Sequence, residues 1–149
     1  MAELGEEGIE RTTFIGYTEF RRENAKIVGL FDDDQSTGKL GSGRNGSMIV
    51  DVTPFYGESG GQVGDRGEVF TAKGHAMVTD THRLPGGLIV HSVGVTDGAL
   101  RVGEKVRLEI DTKRRTNTIR NHTATHLLHA ALRERLGGHV RQAGSLVAP

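Results

Sequence analysis

No cysteine occurs in the 149 residues, which excludes a disulfide framework and a thiol nucleophile within them and agrees with a reducing compartment. Long apolar runs are missing too, since nothing approaches the roughly 18 consecutive residues that cross a bilayer. Residues 1–10 are acidic where a secretory leader is basic and then apolar. The expectation is a cytoplasmic protein with no membrane partner. Net charge is likewise absent, 19 basic side chains balancing 19 acidic ones. That sum hides an asymmetry, because residues 111–149 hold Lys113, Arg114, Arg115, Arg120, Arg133, Arg135 and Arg141 against only Asp111 and Glu134. The cluster from Lys113 to Arg120 suits the phosphates of a nucleic acid, or equally a solvated helix start.

At this length the chain holds one ordinary domain, or one small domain plus part of another. Residues 1–12 show no apolar period and read as a linker or tail with weak order. From residue 13 onward, short β-type runs at 13–17, 25–31, 47–53, 67–71, 75–81, 87–95 and 106–110 alternate with glycine-bearing turns. With 22 glycines in the chain, that spacing predicts a small β-barrel over residues 13–111. Asp32, Asp33 and Asp34 open a polar stretch running to Gly46 that reads as an exposed hairpin loop. Three adjacent carboxylates lack the spacing of a calcium loop.

At Asp111 the pattern changes. This residue can cap a helix over 112–136, stopped by Gly137 and Gly138 and followed by a strand at 140–147 that contains Gln142. One helix and one strand cannot bury their apolar faces alone, so 112–149 is expected to be the truncated start of an α/β unit whose partners come from downstream or from another copy. On that helix Ala124, Leu127, Leu128, Ala131, Leu132 and Leu136 form one broad stripe, with His122 and His126 roughly opposite it. Spacing of four places the two imidazoles one turn apart, able to grip one metal ion, and surface histidines are the competing reading. Zinc needs four ligands, or three plus water. His129 sits a turn away from the pair, so further donors are Asp, Glu or distant His, or lie outside this sequence.

A second segment with chemical content is Phe-Tyr-Gly-Glu-Ser-Gly-Gly-Gln-Val-Gly-Asp at positions 55–65, a loop between strands. Gly60 and Gly61 permit positive φ and let a ligand or RNA backbone approach main-chain N–H groups, with Gln62 at the rim. A turn that needs two glycines for its geometry is the plainer reading. The pattern of a phosphate-binding P-loop is absent.

Both segments, in this order, resemble the editing region of alanyl-tRNA synthetases and of the freestanding alanyl-tRNA editing proteins, where a Phe-Tyr-x-Glu-Ser-Gly-Gly-Gln-x-Gly-Asp stretch precedes an Asn-His-x-Ala-Thr-His-Leu-Leu helix. The likeness extends to Thr-Phe-Ile-Gly-Tyr at 13–17, to Arg115, and to His-Val-Arg-Gln-Ala-Gly-Ser-Leu-Val at 139–147. It implies a translation-factor-like barrel followed by the first helix and strand of an α/β, zinc-dependent editing subdomain. His122 and His126 match the first half of the family's zinc site, whose later Cys-x-x-x-His half has no counterpart here. Gln142 and Thr125 would stand in the editing pocket, with the Thr125 hydroxyl toward the aminoacyl group. Gly57 replaces the family's usual alanine.

The expected parent charges tRNA(Ala) with alanine using ATP, and hydrolyses mischarged Ser-tRNA(Ala) and Gly-tRNA(Ala). Its partners are the tRNA(Ala) acceptor end, held in part by Gly60, Gly61, Gln62, Lys113, Arg114 and Arg115, and the remainder of the synthetase. DNA is not expected as a partner. ATP and magnesium would belong to an aminoacylation domain that this sequence lacks, and negligible activity is expected of the 149 residues alone. Two other readings share the motifs, an RNA-binding barrel module without catalysis and a freestanding trans-editing deacylase.

Overall fold

Strand alternation sets the architecture. The computed structural model describes residues 11–59, 61–136 and 148, with the backbone alone at His122. In chain order the elements are β1 (Thr13–Phe14), β2 (Arg21–Asp32), β3 (Gln35–Thr37), β4 (Lys39–Gly41), β5 (Asn45–Val50), β6 (Val52–Thr53), β7 (Gly67–Phe70), β8 (His75–Arg83), β9 (Ile89–Asp97), β10 (Ala99–Arg101), β11 (Lys105–Ile110) and α1 (Thr112–Leu136). Antiparallel pairing runs β11-β7-β8-β9-β5-β2, and β2 returns to pair with β11. These strands close a barrel, which leaves no open edge along them. The expected mainly β fold, a small barrel followed by a helix, is the fold observed.

Inward residues recur at every second position. On β9 they are Ile89, His91, Val93 and Val95, and on β11 Val106, Leu108 and Ile110. Of these, Val93, Val95, Val106, Leu108 and Ile110 meet Ile27, Leu30, Met48, Val50, Val69, Ala76 and Val78 in one core. The opposite faces of β2 and β5 carry Val28, Phe31 and Ile49 in a separate apolar cluster, with Leu88 and Val90 packed against it. Period-two alternation thus serves two clusters on the two sides of the same strands.

Irregularities in the ladder position the loops. Between Val78 and Asp80 of β8 the register against β9 shifts. The extra residue reverses the phase, so that Ala76 and Val78 point inward before it and Thr81 inward after it, with Asp80 and His82 turned outward. The polar stretch 32–46 is more structured than a hairpin loop. Asp33 and Asp34 adopt positive φ of 48° and 63° in a two-residue turn that pairs β2 with β3. Beyond it β4 pairs with β10, and their facing Leu40 and Leu100 are buried with the core. These strands were missed because three-residue elements carry too few apolar positions to show a period. Thr12 also departs from the expected loose tail. Buried, it receives Ile89 N–H on its hydroxyl at 3.1 Å and donates its own N–H to Gly87 O at 3.1 Å. The expected strand at 140–147, with Gln142, lies outside the described residues.

His91 is fully buried in this core. Its Nδ1 lies 3.0 Å from Met48 O, which can only accept, so Nδ1 carries the proton. Nε2 therefore accepts from the Thr53 hydroxyl at 2.8 Å, and that hydroxyl oxygen accepts Phe55 N–H at 3.1 Å. Burial pushes the imidazole pKa down to about 4, partly offset by the Met48 hydrogen bond.

Two outcomes follow from this packing. Because the unfolded chain binds a proton near pH 6.5 and folded His91 only near pH 4, stability is full above pH 6.5 and falls as pH drops toward 4. The expected loss is about 3 kcal/mol, read by urea unfolding across that range. His91→Gln should remove this part of the pH dependence, and an unchanged acid limb in that variant would refute the assignment. Gly64 presses so closely on β8 that an added Cβ would overlap Thr81 O and lie 2.9 Å from Thr81 N. Gly64→Ala is accordingly expected to cost about 1–3 kcal/mol or more in thermal or urea melts.

Candidate functional site

The helix start builds the site. Asp111 caps α1, its Oδ1 accepting Arg114 N–H at 3.0 Å and its carbonyl accepting Arg115 N–H at 3.1 Å. This first turn aims Arg115 inward, where its side chain is 7% exposed beside an Asp65 that is 6% exposed. Arg115 Nε donates to Asp65 Oδ2 at 2.9 Å and Oδ1 at 3.2 Å, and Nη2 donates to Asp65 Oδ2 and to Pro54 O at 2.8 Å. Nη1 donates to Gly16 O. The rings of Phe14 and Phe20 lie at 6.0 and 5.9 Å from the guanidinium carbon. One side chain therefore ties α1 to three separated segments, the turn after β1, the start of the glycine-rich stretch and its end.

Asp65 also closes the loop it terminates. Its Oδ2 accepts Tyr56 N–H at 2.7 Å, and its own N–H donates to Tyr56 O at 2.9 Å. Thr81 Oγ1, turned inward by the β8 bulge, donates to Asp65 O at 2.8 Å. Within the loop, Gln62 N–H donates to Ser59 O at 3.1 Å across a turn in which Gly61 has φ of 82°. Burial raises the Tyr56 phenol above its ordinary pKa, so it keeps its proton and donates to Ser59 O at 3.0 Å. The loop's other flank lies along β8, where Glu58 Oε2 is 3.1 Å from His82 Nδ1 and Asp80 Oδ2 is 3.0 Å from His82 Nε2.

Helical geometry links this clamp to the histidines. Positions 122 and 126 stand seven and eleven residues beyond Arg115, within about 20° of it around the axis and about 10 and 16 Å further along. They continue up the helix on the angular side of Arg115. Ala124, Leu127, Leu128 and Ala131 lie about 120° or more away from it. Leu127 and Leu128 are 66% and 62% exposed.

Residues 2–114 match the family described as tRNA synthetases class II (A). The chain belongs to this family. Its sequence is 47% identical over 137 residues to the alanine--tRNA ligase of Burkholderia vietnamiensis, covering 92% of the chain and 16% of that relative. The alanine--tRNA ligase of Burkholderia lata is 48% identical over the same extent. The chain thus spans about a sixth of the length of these curated relatives, 16%.

Against this synthetase frame the residues singled out in the sequence separate into groups. Gly61 and Gln62 are half-buried at the loop turn, while Gly60 and Gln142 lie outside the described residues. Lys113 is exposed and Arg114 half-buried at the helix start. Arg115 does not belong to that basic surface. Buried, and with its guanidinium engaged by Asp65, Pro54 and Gly16, it has no exposed charge to offer a phosphate. Thr125 donates its hydroxyl to Asn121 O at 2.9 Å, so toward any other group it serves as an acceptor. His126 is exposed on α1. Among the described residues no three His, Asp or Glu side chains form a group able to hold a metal.

Sequence reasoning missed the Asp65–Arg115 pair and the Glu58–His82–Asp80 cluster. The signal for the first was present, since Asp65 is the carboxylate that closes the glycine-rich motif and Arg115 follows the cap by one helical turn. Removing one partner of a buried ion pair leaves the other uncompensated. Asp65→Asn and Arg115→Met are each expected to lower unfolding free energy by about 3–5 kcal/mol and to speed amide exchange in residues 56–65. A loss below about 1 kcal/mol, typical of a surface pair, would show that the clamp does not hold the loop and helix together.

Proposed function

We propose that this chain is the barrel and helix of the editing region of an alanine–tRNA ligase. Its parent joins alanine to tRNA(Ala) in the cytoplasm and hydrolyses Ser-tRNA(Ala) and Gly-tRNA(Ala). The observation that carries this reading is the Asp65–Arg115 clamp, which ties the end of the glycine-rich loop to the first turn of the helix that bears positions 122 and 126. The similarity to alanine--tRNA ligases over 92% of the chain supports it.

Residue roles follow from the geometry. Exposed Lys113, with Arg114 beside it, supplies positive charge for the acceptor-end phosphates. Gly61 and Gln62 offer backbone and amide groups at the loop turn. Thr125, its proton committed to Asn121 O, accepts from the serine hydroxyl and penalises alanine, which has none. His122 and His126 hold zinc together with ligands from outside the described residues, and zinc when bound polarises the ester or its attacking water. ATP and magnesium serve the aminoacylation part of the longer protein.

The decisive experiment compares full-length ligase bearing this sequence with its His122→Ala/His126→Ala variant. Ser-tRNA(Ala) deacylation is expected to fall at least a hundredfold while alanine charging persists, and retained deacylation would overturn the reading. Thr125→Val is expected to increase hydrolysis of correct Ala-tRNA(Ala) relative to Ser-tRNA(Ala). A second reading, an RNA-binding module without chemistry, is favoured by the two-donor set. It requires salt-sensitive tRNA binding that weakens on neutralising Lys113 and Arg114 in a ligase whose deacylation ignores both histidines.

A further inference from the structure

Where β8 ends, two grooves share one wall. The first, of about 310 Å³, has an apolar floor of Phe31, Leu84 and Val90 and a polar rim that includes Asp34, Ser47 and Ser92. The second, of about 440 Å³, is lined by Arg11, Arg83, Gly86 and Gly87, with Ser59 of the glycine-rich loop at its edge. Leu84 borders both.

Their chemistries differ in a way that matches one ligand. The apolar groove lies over the cluster on the outer side of the barrel, so its floor is packed and preformed. Its hydroxyls and the Asp34 carboxylate can pair with ring nitrogens and an exocyclic amino group. In the basic groove both arginines are exposed and form no ion pair with any described residue. The nearby acids Glu58 and Asp80 are bonded to His82 instead. The turn between them is held by Leu84 N–H to Leu88 O at 2.8 Å and by Gly87 N–H to Leu84 O at 3.1 Å. Gly86, at φ of 96°, has nothing within 4 Å of where a Cβ would stand, so backbone there is open to close approach.

We infer that these grooves form one subsite for a single-stranded ribonucleotide, with its phosphate on Arg11 and Arg83 and its base on the Phe31–Leu84–Val90 floor. The inference rests on the reading of this chain as part of an enzyme acting on tRNA, and it adds a contact beside Ser59 of the glycine-rich loop. Charge alone does not select this place. Lys39, Lys73 and Arg101 line another groove with Glu104, but it offers no comparable apolar neighbour to receive a base.

The test measures binding of a fluorescent RNA tetranucleotide, CCCA, to the 149-residue chain by anisotropy over a salt series. Arg83→Glu and Arg11→Glu, both at exposed positions, are expected to weaken binding about tenfold, and neutral Arg83→Gln to lower the salt slope by about one. Lys73→Glu, on the other basic groove, should change affinity less than twofold, and an abasic tetranucleotide should bind several-fold more weakly than CCCA. Equal losses for Lys73→Glu and Arg83→Glu would overturn the subsite in favour of diffuse charge. Undiminished binding of the abasic RNA would overturn it in favour of a phosphate contact alone. Deacylation by the full-length ligase is scored separately, so loss of the editing reading and loss of the subsite are distinguishable. Circular dichroism of each variant confirms that the barrel is intact.

Discussion

A single guanidinium fixes how the helix meets the barrel. Arg115 reaches from the first turn of α1 into a site walled by Phe14, Phe20 and Asp65, and its donors end on three segments far apart in sequence. A buried ion pair is a poor way to add stability, because desolvating both charges offsets most of their attraction. It is a good way to fix an angle. Arginine's planar fork engages one carboxylate through two nitrogens, so rotation of α1 about its axis breaks donors that have no other acceptor. A leucine in the same place would pack over a range of helix orientations. The orientation matters because positions 122 and 126 follow the face of Arg115 up the helix.

The barrel contributes the other fixed point. Without the shift in register between Val78 and Asp80, Thr81 would face solvent and Asp65 O would lose its donor. That same shift turns His82 and Asp80 outward beside Glu58. His91 performs a parallel task on the neighbouring strand, ordering the Thr53 hydroxyl that receives Phe55 N–H. The glycine-rich loop is thus held at its entry through Thr53, at its base through the Tyr56–Asp65 pair and along its flank by β8. Its glycines serve close packing as much as ligand approach, Gly64 at the Thr81 backbone being the clearest case.

Much of this was legible in the sequence, for reasons that differ by element. Strands β8, β9 and β11 alternate cleanly, and the Asp111 cap announces α1, so the barrel and the helix start could be read from period and turn chemistry. Strands β3, β4 and β10 could not, because their pairing depends on a closed barrel mouth and not on local pattern. Among site residues, Lys113 and Arg115 look alike in a basic run. Only the three-dimensional position of Asp65 separates a buried clamp from an exposed charge. The Thr125 hydroxyl could be read from sequence only as a polar group on the helix, whereas the direction of its proton depends on the Asn121 carbonyl one turn below.

The apolar stripe of α1 gives the clamp its wider meaning. Helical geometry places Leu127 and Leu128 about 120° or more from Arg115, and both are largely exposed. The barrel therefore covers the helix only through the face of Arg115 and Thr118, and cannot also cover the leucines without breaking the donors to Asp65, Pro54 and Gly16. Two faces with separate tasks result. One is fixed against the barrel by polar contacts and continues upward through positions 122 and 126. The other carries apolar surface, each buried leucine of which is worth about 1.5–3 kcal/mol to whatever packs there. Packing on that second face would stabilise the helix from behind while leaving the Arg115 face and its polar contacts undisturbed.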